Sequence, residues 1–333
     1  VDMTSEKQNK VPDIKVLKTQ LAPFSKADTK TALRQLLVTL FFYAAGWVAM
    51  FYSMKVSYWL TLLLALPTAG LLVRIFIFFH DCGHNSFFPS TAWNRRIGFW
   101  LGVLVFTPGE HWWRSHAIHH ATSGNLDKRG VGDVTTLTVE EFGKLSRLGQ
   151  MGYRLFRNPL VMFGLGPIWM FLILHRWPSA NSGRKEILSV VWTNLAIIAL
   201  AAGLSLLMGF WNYVLIQLPL IWMAGMAGIW MFYIQHQFEN VYWARDKQWD
   251  YVSSAFLGAS YYRLPKLLQW FSGNIGFHHI HHLNPRVPNY RLEPAYLSNE
   301  VLRQSPTLDI RQSLKCVRLV LYDEKAAKMV SFR

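Results

Sequence analysis

The chain has 333 residues, 52% of them hydrophobic, 15% aromatic and only 16% charged, against roughly 25% charged in an average soluble protein. That balance, with long apolar stretches, excludes an ordinary soluble domain and points to an all-α integral membrane protein. The formal net charge of +15 is dispersed beside lipid-type segments, which argues for cytosolic loops and anionic lipid contact and against nucleic acid.

Residues 1–34 are polar and lysine-bearing, with no apolar core of a signal peptide, and read as a cytosolic N-terminal tail. A helix needs about 20 apolar residues to cross a bilayer. The stretch 35–54 meets that length, and so does 57–79, whose Arg74 is close enough to one end to snorkel. A short turn around Lys55 joins them, so 35–79 reads as a first transmembrane hairpin.

The cap 80–186 follows. It holds two histidine clusters, HDCGH (His80, His84) and HAIHH (His116, His119, His120). Its apolar stretch 97–107 is too short to cross, and 160–174 contains Gly164, Gly166 and Pro167; both read as interfacial or re-entrant. Two further spans, 187–210 and 212–234, turn around Trp211 and make a second hairpin, 187–235. The remainder, 236–333, carries His236, a third cluster HHIHH (His278, His281, His282) and the C-terminal tail.

Two signals give the same topology. If all the histidines serve one site, an even number of crossings separates His120 from His236, so 160–174 does not cross and four spans remain. The two hairpin turns together hold a single Lys or Arg, Lys55, while the tails and the cap hold nearly all the rest. By the positive-inside rule the tails, the cap and the histidines are cytosolic. The two cysteines, Cys82 and Cys316, imply no disulfide framework and fit a reducing compartment.

On a helix, residues i, i+3 and i+4 share a face. Each cluster therefore presents its imidazoles in one direction, and His236 at the end of the fourth span can reach the same centre. Nine imidazoles are too many for one metal and suit two, with positions left open. The set points to a redox metal, although imidazole also suits zinc, copper and nickel. Ligating rings usually donate their other N–H to a carboxylate or carbonyl. Asp81, Glu110, Asp133, Glu239 and Asp246 lie near the clusters and are the candidates for that role. Cys82 reads as a packing residue, His175 as interfacial and His111 as structural or supporting. His279 sits about 100° off the ligand face and reads as supporting or surface.

HDCGHNSFF, WRSHAIHH and GFHHIHHLNPRVPNY resemble the three histidine boxes of the membrane fatty acid desaturases. The resemblance extends through GNLDKRGVGDVTTLTVEEF and YIQHQFENVYWAR, covers residues from about 35 to 290, and is nearest the acyl-lipid branch that includes Δ12 (ω-6) enzymes, bacterial ones especially. It implies two iron ions bound by His80, His84, His116, His119, His120, His278, His281, His282 and also His236, with O2 as co-substrate. It implies a membrane-lipid acyl substrate, a bacterial cytoplasmic membrane rather than an endoplasmic reticulum, and a cis double bond as product. The fused haem motif HPGG is absent, so the donor is a separate ferredoxin-like or cytochrome b5-like protein. Trp112 and Trp113, just before the second box, are expected to line the acyl tunnel. Hydroxylases, acetylenases, conjugases and ketolases share the ligand set. A metal transporter or sensor is the other alternative, but it would hold its ligands within the spans.

Overall fold

The computed structural model describes residues 14–332. It is an all-α membrane protein, and the four expected spans are its four longest helices. A short helix α1 (Ile14–Leu21) precedes the first hairpin, made of α2 (Thr29–Ser53) and α3 (Tyr58–Gly83). The cap continues with α4 (Thr91–Leu104), α5 (Gly109–Thr122), strand β1 (Leu137–Thr138), α6 (Val139–Lys144) and α7 (Arg147–Phe156). One α-helical turn, α8 (Gly166–Ile168), is flanked by π-helical segments Leu160–Leu165 and Trp169–Ile173. The second hairpin is α9 (Arg184–Met208) and α10 (Phe210–His236). Then come α11 (Tyr251–Leu257), β2 (Tyr261–Tyr262), α12 (Lys266–Phe271), α13 (His278–Leu283), α14 (Asn289–Ser298), β3 (Thr307–Leu308), α15 (Ile310–Cys316), β4 (Leu321–Asp323) and β5 (Lys328–Val330).

The long helices run past the apolar stretches that announce them. Hydropathy marks only the lipid-facing length, while the helices continue as polar turns beyond it. Asp28 caps α2, its side chain accepting from Thr31 N at 2.8 Å, so the helix begins six residues before the apolar stretch. At the other ends α3 reaches Gly83 and α10 reaches His236, which carries His80 and His236 out of the spans on rigid helix. The second turn lies at Gly209, not Trp211, which is inside α10. Gly209 has φ +90°, a value open to glycine, and serves as both the last cap of α9 and the first of α10.

α3 is the central span, 61% buried, and packs on α2, α4 and α10, whereas α9 is 17% buried. Side chains such as Phe41 (67% exposed), Trp192 (59%) and Leu206 (89%) form the apolar outer surface that a bilayer covers. Segments 147–156 and 160–176 meet at a 56° bend. The π geometry frees backbone groups there, and Trp222 Nε1 donates to Gly164 O at 2.8 Å. Gly225 of α10 lets Phe171 and Pro167 seat against it.

The tail departs from expectation. Residues 1–13 lie outside the described part, but α1 is not loose polar chain: Leu17 and Leu21 are 1% exposed and pack in a core with Phe277, Ile280 and Leu283. Each such leucine contributes about 1.5–3 kcal/mol, and together they back the third histidine cluster. The five strands, two or three residues each, were also unexpected, being too short to show alternation. Parallel pairs β1–β4 and β2–β3, with the antiparallel β4–β5 hairpin, tie the C-terminal segment onto the cap.

Candidate metal centre

Four pieces of the fold deliver the nine histidines. His80 is on the last turn of α3, with His84 just past it; α5 carries His116, His119 and His120; α10 ends on His236; α13 carries His278, His281 and His282. They form two groups, in each of which one ligand atom per ring lies within 4.8 Å of all the others. The first is His80, His84, His116, His120 and His281; the second is His119, His236, His278 and His282.

The triplets therefore do not each serve one position. In α5 the i, i+4 pair His116 and His120 enters the first group and the intervening His119 enters the second. In α13 the assignment reverses: His278 and His282 enter the second group and His281 the first. Each of these helices contributes to both groups and fixes their spacing.

The ring nitrogens disclose what the site is built for. A carboxylate or carbonyl oxygen only accepts, so the His119 Nδ1–H donates to Asp133 and the His236 Nδ1–H donates to Gly258 O at 3.1 Å. Both Nε2 atoms are then lone pairs, yet they face each other at 3.2 Å. His236 Nε2 also lies 2.9 Å from His278 Nε2. In the first group His80 Nδ1–H donates to Asp81 at 3.0 Å, and its Nε2 lone pair faces His281 Nε2 at 3.0 Å. His281 Nε2 is 2.9 Å from His120 Nε2, which is 3.1 Å from His116 Nε2. Adjacent lone pairs repel unless a cation lies among them. Two nitrogens bound at right angles to one ion at about 2.1 Å stand about 3.0 Å apart, which is the spacing here.

Burial adds to this. His84 Nε2 and His282 Nε2 are buried with no hydrogen-bond partner, an expensive condition for a polar atom. Burial first, and neighbouring imidazoles second, hold His84, His116, His120, His278, His281 and His282 well below the usual histidine range. They are neutral rings, the form that binds metal. The donor set fits two metal ions.

Of the expected supports, Asp81 and Asp133 hold ligand rings. Asp81 also accepts from Asn289 N (2.8 Å) and Asn289 Nδ2 (3.0 Å), tying α3 to the start of α14. Gly132, at φ +71° and where a Cβ would run into Ser115 O and His119, lets the chain pass close enough for Asp133 to reach its ring. The other three do not come to the histidines. Glu110 faces Arg95 at 3.7 Å on the surface; Glu239 is exposed beside Lys328 at 3.8 Å; Asp246 pairs with Lys128 and Asn125. Nearness in sequence misleads there because the chain turns outward after each helix end.

Cys82 is buried outside both metal groups and packs near Gly98. His111 accepts from Ser179 N at 3.3 Å, and His175 approaches Thr107 Oγ1 at 3.5 Å. His279 is not on the surface: it is fully buried against Phe256 and Tyr296, off the ligand face, with its pKa driven by burial to about 3.

The two tryptophans differ. Trp112 stacks on His116 with centroids 4.5 Å apart and meets Phe76 edge-on at 5.2 Å, so it walls the first group. Trp113 is a structural wedge. Its Nε1 donates to Phe79 O at 3.1 Å, and its ring fills the space left by Gly83, Gly98 and Gly109. A Cβ on Gly83 would collide with that ring. Gly83→Ala is expected to cost about 1–3 kcal/mol by overpacking, read as a lower unfolding temperature of the purified protein.

Three contributors escaped sequence reasoning. Asn289 lies within the third motif but was not singled out. Phe232, with its ring 5.0 Å from His119 and 5.2 Å from His236, is one aromatic among many in α10. The Gly258 carbonyl leaves no side-chain signal at all.

Membrane-length helices that end in two buried histidine groups define a membrane metalloenzyme scaffold. Residues 57–311 match the family model "Fatty acid desaturase". The chain is 48% identical over 319 residues to a "Fatty acid desaturase" of Bacillus subtilis (strain 168), covering 96% of this chain and 91% of that one. It is 23% identical to an "sn-1 oleoyl-lipid 12-desaturase" of Anabaena variabilis (74% and 71% covered). It is 26% identical to an "sn-1 acyl-lipid omega-3 desaturase (ferredoxin)" of Synechocystis sp. (strain ATCC 27184 / PCC 6803 / Kazusa), with 77% and 72% covered. The chain belongs to the fatty acid desaturase family and is a desaturase oxidoreductase.

Proposed function

We propose that this protein is a di-iron, O2-dependent desaturase that introduces a cis double bond into a membrane-lipid acyl chain. The observation that carries the reading is the pair His119 and His236: each has its Nδ1 proton fixed on an acceptor, and their Nε2 lone pairs face each other at 3.2 Å. Iron is the metal that joins this imidazole set to the family's redox reaction. The first ion would be held by His80, His84, His116, His120 and His281, the second by His119, His236, His278 and His282. When bound, the pair supplies the oxidation: with O2, two electrons and two protons, a –CH2–CH2– unit becomes –CH=CH– and two waters form.

The chain's own residues do the rest. Asp133, Asp81 and the Gly258 carbonyl keep the protons of three rings on Nδ1, so that Nε2 points inward. Trp112 and Phe232 cover the rings and keep bulk water from them. Electrons come from a separate ferredoxin-like or cytochrome b5-like donor, a reading supported by the Synechocystis relative's name. We place 35–79 and 187–235 in a bacterial cytoplasmic membrane, with 1–34, 80–186 and 236–333 on the cytosolic side. Convergence of α5 with His236 supports this, because an odd number of crossings between them would part His119 from His236 within the second group. The bent segment 147–176 then enters the membrane surface without crossing.

The 12-position is the inferred site of oxidation, on the motif resemblance and the Anabaena relative. Expression in a host lacking polyunsaturated lipids, with double-bond localisation by mass spectrometry, tests it. A 12,13 double bond is expected; an ω-3 product would move the regiochemistry, and a hydroxylated chain would overturn desaturation. The purified protein should carry two irons.

A further inference from the structure

A cavity of about 530 Å3 lies between α2, α3 and α12, apart from the histidines, with Tyr290 and Glu293 of α14 closing one side. Its charged lining is Arg34, Arg74, Lys266 and Glu293. Lys266 already pairs with Glu293, so among the described residues two cations, Arg34 and Arg74, remain without an acid.

Arg74 is the unusual one. It is 5% exposed, and its guanidinium donates to Thr39 Oγ1 at 3.2 Å, to Gln35 Oε1 at 2.8 Å and to the Trp270 carbonyl. The Trp270 ring stacks on it at 4.4 Å. Among the described residues no carboxylate pairs with it. Neutral acceptors take three of its five N–H donors but leave its charge uncompensated, and a buried charge without a counter-ion is costly. Arg74 precedes His80 by six residues, which puts it about 9 Å further into the membrane along α3. Arg34 lies nearer the start of α2, exposed and, among the described residues, without an ion pair. In the topology proposed above, on which this inference rests, that level lies at the cytosolic headgroups.

The rim is apolar. Val38 (41% exposed) of α2 and the Trp270 ring of α12 (37% exposed) line it. The exposed Phe41 continues that surface toward the bilayer centre. A ligand with an anionic head and apolar chains matches both parts. We propose that this cavity binds the phosphodiester of an anionic membrane phospholipid of the phosphatidylglycerol class. The volume is that of an ordinary small-ligand site, and basic pockets between cytoplasmic ends of spans suit such headgroups. A zwitterionic head would bring an ammonium that needs an acid, and Glu293 is engaged.

The claim goes beyond desaturation and is tested without turnover. The full chain is purified in a neutral detergent. Thermal unfolding is then followed against added dioleoylphosphatidylglycerol, dioleoylphosphatidylcholine, dioleoylglycerol or inorganic phosphate. Phosphatidylglycerol is expected to raise the midpoint in a concentration-dependent way, phosphatidylcholine less, and dioleoylglycerol not at all. Arg34→Gln, an exposed position, should need about tenfold more phosphatidylglycerol for the same shift, the loss of one charge-assisted contact. Arg74→Gln should abolish the response; if it fails to fold, Arg34→Gln carries the test. An unchanged response in Arg34→Gln, or equal shifts from dioleoylglycerol or phosphatidylcholine, would overturn the proposal. Inorganic phosphate matching the lipid would make this a free-phosphate site and overturn it too.

Discussion

His119→Ala is expected to lower product formation below about a thousandth of the native level, more than ~4 kcal/mol of lost transition-state stabilisation. His119 is fully buried, and no other residue of α5 reaches the second group. Its removal leaves three rings there and deprives the Asp133 carboxylate of its buried donor. Iron per chain, by mass spectrometry of the metal, should fall from two toward one, because the first group draws on other residues. His279→Ala is the matched control: it removes an equally buried imidazole from the same third box but off the ligand face. It should lower the unfolding temperature and leave both irons and the product in place. An active, iron-replete His119→Ala protein would remove the basis of the metal assignment.

The contrast between these two histidines marks how far the sequence is legible. Helical spacing alone separates His279 from His278, His281 and His282, because a face is a local property. The allotment of His281 to one group and His278 to the other is not local; it depends on how α13 crosses α5, α3 and α10. The same divide runs through the fold. The four spans are readable because lipid demands uninterrupted apolar length, but their polar ends are not, since a helix leaving the bilayer has no reason to stay apolar. Asp81 is found beside His80 because helix keeps neighbours together, whereas Glu239 is three residues from His236 and exposed, because the helix ends between them. Leu17 and Leu21, which back the third box, look like two apolar residues in a charged tail until the box is there to bury them.

Asp81 gives the second large effect, and it separates orientation from mere packing. One carboxylate oxygen accepts from His80 Nδ1; the other accepts from both the backbone N–H and the side-chain amide of Asn289. Asparagine keeps the volume but replaces one acceptor with an NH2 group. If that group faces Asn289, donor meets two donors and the tie between α3 and α14 breaks. If it faces His80, the ring must accept at Nδ1, its proton moves to Nε2, and the nitrogen aimed at His281 ceases to be a ligand. Either way the first group suffers, and Asp81→Asn is expected to weaken iron binding there by about 10–100-fold. A chelator competition on the purified protein reads that change. Asp133→Asn should do the same to the second group through His119, so the two variants should each lose one iron and not the same one. Asp81→Ala should add an instability of about 1–3 kcal/mol from the stranded Asn289 donors, visible in the metal-free protein. A merely structural Asp81 would give the opposite pattern: metal-free Asp81→Asn would unfold early, yet would hold both irons with native affinity once folded.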